Sequence, residues 1–227
     1  HQYGAMLEAD LIQGESYDAT MEFDGWDSAD FDDSDWFPVK VLEPTGAPLV
    51  ATNGPTVKRF EELLPIAKPT VRRNPGGAIY TFDLGQNMVG RVRLKGSAPA
   101  GTTAVLRFAE VLNADGSLYT TNLRGARATD HYTFKGDDVE IWEPKFTFHG
   151  FRYVELSGYT GEIADDTITG VVLHSDMETT GDFTCSDDLI NQLQHNILWG
   201  QKGNFVDVPT DCPQRDERMG WTGDIQV

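Results

Sequence analysis

Basic residues are scarce in this 227-residue chain: 18 Lys and Arg stand against 36 Asp and Glu, a formal net charge of −18. That deficit argues against a nucleic-acid or anionic-membrane partner, because phosphate binding needs a cationic surface. Cysteine is scarcer still, limited to Cys185 and Cys212. Two such residues make neither a disulfide framework nor a zinc-ligand spacing. No apolar run approaches the roughly 18 residues needed to span a bilayer. No basic-then-apolar leader opens the chain, so the cytoplasm is the favoured compartment. The start itself, HQYGAMLEADLIQGESYDA, reads as the middle of a domain.

Helical periodicity is rare as well. Short alternating or apolar runs at 6–13, 17–23 and 56–64 read as strands, and 65–75, with Arg72, Arg73 and Asn74, reads as an exposed connector. Between them lies GWDSADFDDSDWFPV at 25–39. Hard cations want several oxygens, so the aspartates invite a calcium reading, but the terminal Glu of an EF-hand is missing. A turn capped by Asp and Ser and anchored by Trp26, Phe31 and Trp36 is the simpler expectation. Further strands are expected at 79–84, 90–95, 103–110, 129–134, 145–148 and 152–157, with a turn at 113–116. Such regular short strands suggest an antiparallel sandwich. His149 is expected to be a hydrogen-bonded packing residue rather than a base. Asp83, Gln86 and Asn87 suit a sugar, but equally suit backbone capping at a Gly-rich corner.

The period changes after residue 185. Ser186 is a candidate N-cap, with Asp187 and Asp188 in the first turn. Leu189, Ile190, Leu193, Ile197 and Leu198 follow at helical spacing, and the helix should end near 200–203. One apolar helix face cannot bury itself. Residues from 186 onward are therefore expected to be loosely held, or to borrow a partner surface, with the first proteolytic cuts after 186.

The densest chemistry follows, VPTDCPQRDERMGWTGD at 208–224. Prolines and glycines fix its backbone, its carboxylates and guanidinium groups suit hydroxyls, and Trp221 offers a flat apolar face. That is what a polyol-binding, acid-catalysing loop needs.

This stretch resembles the hallmark loop of bacterial-type α-L-rhamnosidases, family 78 of the glycoside hydrolases. FDLGQNMVGRVRLKG at 82–96, LRFAEVLNADGSLYTTNLRGARATDHYTFKG at 106–136 and FTFHGFRYVELSG at 146–158 agree with it. The resemblance implies a mainly β chain in three parts. These are a partial N-terminal β-sandwich at 1–76, a second β-sandwich at 77–175, and the start of a truncated (α/α)6 barrel at 176–227. It implies an inverting hydrolase that releases terminal α-L-rhamnose. Glu217 matches the general acid, and Asp211, Arg215, Trp221 and Asp224 match residues lining the rhamnose site. The family's base, a Glu on a later barrel loop, has no counterpart here. The chain is then expected to be an inactive piece of a longer enzyme. No metal or cofactor is implied. The implied partners are a rhamnose-containing glycoside and, for the bare helix face, the rest of the barrel or a second copy. The other reading is a carbohydrate-binding or structural β-module without turnover.

Overall fold

The computed structural model describes residues 4–223 and residue 225. Strands dominate. In chain order they are β1 (Met6–Asp10), β2 (Gly14–Asp18), β3 (Val57–Leu63), β4 (Thr70–Asn74), β5 (Gly77–Gly96), β6 (Thr103–Ala109), β7 (Thr129–Thr133), β8 (Glu140–Trp142), β9 (His149–Ser157) and β10 (Ile168–Ser175). Helix α1 (Asp188–Asn204) follows, then the short pair β11 (Phe205–Val206) and β12 (Val208–Pro209). The first ten strands form one sheet in the order β1-β2-β7-β6-β9-β5-β10-β3, with β4 and β8 also paired to β5.

The 20-residue β5 organises this sheet. Its first half lies between β4 and β9, and its second half pairs with β10 and β8. The register against β9 shifts between Asp83 and Met88, where Gly85 takes φ 76. Such an irregularity bends a strand and curls the sheet. Phe82, Val92 and Leu94 of β5 meet Leu106, Phe108, Phe151, Val154, Leu156 and Ile168 in one buried cluster. Each such side chain contributes about 1.5–3 kcal/mol on burial.

The expected β-rich class with a single helix is what the described residues adopt. The strands of 1–76, however, add to the same sheet as those of 77–175. β2 joins β7 and is parallel to it, while β3 closes the far edge on β10. Their sequence explains this: within the described part of 1–76 the buried side chains are those of Glu15 and Ala19, too few for a core of their own. The expected connector at 65–75 contains β4, because alternate residues of TVRRN can pair with β5. β8 and β10 replace the expected strand at 145–148. The fully buried run ITGVVLHS of β10 lacks the alternation that marks a half-buried strand.

Asp187, not Ser186, caps α1: its carboxylate accepts from Leu189 N at 2.9 Å. The apolar face of α1 is bare, with Leu189 81 % and Leu193 56 % exposed. Trp199 is its contact with the core, and Lys202 reaches Glu61 at 2.8 Å. Residues 22–56 carry no strand or helix and are almost wholly exposed. There Asp32 caps Ser34 N at 3.0 Å, and Trp36 packs on Phe31 and Phe23 at 5.3 and 5.7 Å. Exposed coil is what proteases open first. The first cuts in limited proteolysis are therefore expected within 24–56, ahead of any after 186. A first cut inside β5 or β9 would contradict the sheet order.

Candidate active site

The chain leaves α1 and doubles back through β11 and β12 onto the end of the sheet. Three non-glycine residues take left-handed backbone on the way: Asp207 (φ 68), Asp211 (φ 62) and Arg218 (φ 77). Such residues cost about 1–3 kcal/mol each and persist only where the surroundings hold them. Here the holding contacts are visible. Asp207 N donates to Ser175 Oγ at 3.0 Å, Thr210 N to Asn204 O at 2.8 Å and Trp221 N to Pro209 O at 2.9 Å. Gln214 lies so close to Gly150 that any Cβ there would sit 3.0 Å from its backbone N. The Arg218 guanidinium donates to Phe148 O at 3.0 Å and to Leu11 O, and lies over the Phe148 ring at 4.4 Å. Burial pushes this guanidinium down to about 10. The loop is thus tied to the sheet by hydrogen bonds, while the helix face before it stays bare.

Within this loop Arg215 and Glu217 pair directly. Arg215 Nε and Nη2 donate to the same carboxylate oxygen, Glu217 Oε2, at 2.7 and 2.6 Å. This pairing pushes the Arg215 guanidinium up. Among the described residues Glu217 Oε1 accepts no hydrogen bond, and the side chain is 15 % exposed. Asp211 is brought to the same place: ligand atoms of Asp211, Cys212 and Glu217 all lie within 4.8 Å of one another. Burial and the Asp211 carboxylate push the Cys212 thiol up. Trp221 is 51 % exposed, an aromatic face available to a ligand. Asp224 lies outside the described residues.

Two contributors come from far away in sequence. The turn Thr121–Leu123 leads into Arg124, itself left-handed at φ 54. Arg124 Nη1 stands 3.6 Å from Glu217 Oε2, and Gly125 N donates to Asp216 Oδ2 at 3.1 Å. No carboxylate or aromatic motif marks Arg124 and Gly125, and sequence reasoning missed them. The one available signal was their place inside the third family-like block.

His149 is fully buried. Its ring stacks on Phe108 at 4.3 Å, and Nε2 donates to Asp130 Oδ1 at 3.0 Å. The same oxygen accepts from Glu15 N at 2.9 Å. Burial pushes the Glu15 carboxyl up, although Lys145 N and Phe146 N both donate to it at 2.9 Å. Asp83 pairs with Arg152 at 2.7 Å through both oxygens and caps Gly85 N, so it serves the corner rather than a sugar. Gln86 Oε1 meets His195 Nε2 at 3.3 Å, and Asn87 donates to Glu110 at 3.0 Å.

Three family models match the chain in order: the α-L-rhamnosidase N-terminal domain at 1–61, the bacterial α-L-rhamnosidase concanavalin-like domain at 73–174, and the bacterial α-L-rhamnosidase six-hairpin glycosidase domain at 178–227. Together they span a β layer and a segment matched to a six-hairpin glycosidase domain. The chain belongs to the bacterial α-L-rhamnosidase family. It is 49 % identical to an α-L-rhamnosidase of Streptomyces avermitilis over 99 % of its own length, and 43 % identical to one of Formosa agariphila. It spans only 22 % and 24 % of those proteins. The crystal structure of the Streptomyces avermitilis α-L-rhamnosidase complexed with L-rhamnose superimposes with a TM-score of 0.91 at 50 % identity, over 99 % of this chain and 22 % of that one. The α-L-rhamnosidase structure from Dictyoglumus thermophilum gives 0.91 at 43 %, over 99 % and 25 %. No described helix is long and apolar enough to cross a membrane.

Proposed function

We propose that this chain supplies the general acid and part of the sugar site of an inverting α-L-rhamnosidase. The observation that carries the reading is Glu217, partly enclosed on an anchored loop, with Oε2 tied to Arg215 and Oε1 accepting no hydrogen bond among the described residues. Oε1 would carry the proton to the glycosidic oxygen as the bond breaks. Glycoside hydrolysis passes through an oxocarbenium-like state, so a proton delivered in time removes the need to expel an alkoxide. Sugar hydroxyls would draw Arg215 away, joined by Asp211 and Asp224, with Trp221 covering an apolar face of the ring. The base would come from outside these residues. An inverting base activates water across the sugar, with the two carboxyls roughly 6.5–9.5 Å apart. The bare face of α1 suits the further helices of a six-hairpin domain, so the chain by itself is expected to be inactive.

The test is the anomer formed first. Proton NMR of the full-length protein hydrolysing an α-L-rhamnoside should record β-L-rhamnose before mutarotation. Initial release of α-L-rhamnose would overturn the inverting assignment.

One observation favours the second reading, a binding module. A hollow of about 860 Å³ is lined by Trp26, Trp36, Trp142, Phe146 and Glu143, and by none of residues 208–223. Aromatic faces beside a carboxylate suit a sugar. Binding without turnover by the full-length protein would favour it.

A further inference from the structure

We propose that Arg124 and the amide of Gly125 are positioning groups for the acid loop, so that the β layer sets the aim of Glu217. This rests on Glu217 being the general acid.

The segment 124–128 is built to reach one place. It is bracketed by two left-handed non-glycine residues, Arg124 (φ 54) and Ala128 (φ 44). Leu123, Ala126 and Ala128 anchor it in the core. Gln13 clamps it from the other side: its side chain donates to Gly125 O at 3.2 Å and accepts from Arg127 N at 3.0 Å. Strained backbone this heavily held marks a position fixed for a purpose. What it presents is an amide to Asp216 and a guanidinium to Glu217, on adjacent residues of the acid loop. A Cβ on Gly125 would lie 2.7 Å from Asp216 Oδ2, so glycine is what permits the approach.

The chemistry needs such a second anchor. Arg215 engages Glu217 Oε2 through Nε and Nη2, so turning toward the sugar would loosen that hold. When it turns to the ligand, Arg124 remains beside Oε2 and keeps Oε1 directed at the leaving oxygen. Its side chain is 57 % exposed, so its charge is screened by water and its main effect is orientation. Misplacing a catalytic group by about 1 Å costs up to about 100-fold.

The experiment uses the full-length enzyme with Arg124→Gln and Arg124→Lys. Substrates are an alkyl α-L-rhamnoside, whose leaving group needs the proton, and an activated nitrophenyl one. Arg124→Gln should lower kcat on the alkyl substrate about 10–100-fold with little change in KM, and lower it less on the nitrophenyl substrate. Arg124→Lys should recover part of the loss. Unchanged kcat overturns the proposal. So does an equal loss on both substrates, or a loss that tracks a lower melting temperature and is not relieved by Lys. The wild type and Glu217→Gln separate the two levels. If Glu217→Gln spares the alkyl substrate, the acid assignment fails and this proposal with it. If Glu217→Gln behaves as an acid knockout and Arg124→Gln as wild type, this proposal alone fails.

Discussion

Glu217→Gln in the full-length enzyme is expected to lower turnover of rhamnosides with poor leaving groups by about 10²–10⁴-fold, the usual worth of general acid catalysis. The amide keeps the shape of the side chain and its acceptor toward Arg215, which donates at 2.7 and 2.6 Å. It has no acidic proton to give. A nitrophenyl rhamnoside leaves without much protonation, so its loss should be far smaller. Equal loss on both substrates would refute the acid role and leave Glu217 as a binding or structural group. Arg215→Ala would lose affinity through the sugar, so a rise in KM on both substrates separates the two residues.

A second large effect is expected in the buried corner beneath the loop. Asp130→Ala strands two buried donors at once, Glu15 N and His149 Nε2, now held at 2.9 and 3.0 Å. Each stranded donor costs about 1–3 kcal/mol, so the total is about 2–6 kcal/mol. For a chain of this size that lowers the melting temperature by roughly 5–20 °C. Asp130→Asn retains an acceptor oxygen and should lose much less. Near-ultraviolet circular dichroism during heating reads the difference. A loss under about 1 kcal/mol in the alanine variant would sink this account of the corner.

Local pattern was legible wherever capping or apolar side chains recur at a fixed spacing. The turn at 113–116 carries its capping side chains, with Asp115 accepting from Ser117 N at 3.0 Å. The helix was legible from Leu189 to Leu198, although its cap is one residue later than expected. β10 was not legible, because all eight of its residues are buried and no alternation remains. The joining of 1–76 to the later strands was equally hidden. Pairing between Ser16 and His131, or Gly170 and Leu63, is a matter of register across long loops. At the candidate site, the loop's resemblance to the rhamnosidase family picked out Asp211, Arg215 and Glu217, and the structure brings them together. It could not name Arg124, Gly125 or Gly150, whose roles come from backbone position. His149 was read as a packing residue, and its stack on Phe108 with a bond to Asp130 is that.

The Arg218 side chain crosses from the loop at 208–223 to the carbonyls of Leu11 and Phe148, which belong to two separate stretches of the β layer. Its fit depends on two backbone oxygens and one phenyl ring, all of them outside the loop itself. Recombination is constrained accordingly. A hybrid spliced near residue 176, pairing the helical part of one relative with the β layer of another, would have to rebuild these contacts across its junction. Exchanges that carry the β layer and the loop at 208–223 together would keep these contacts in one chain.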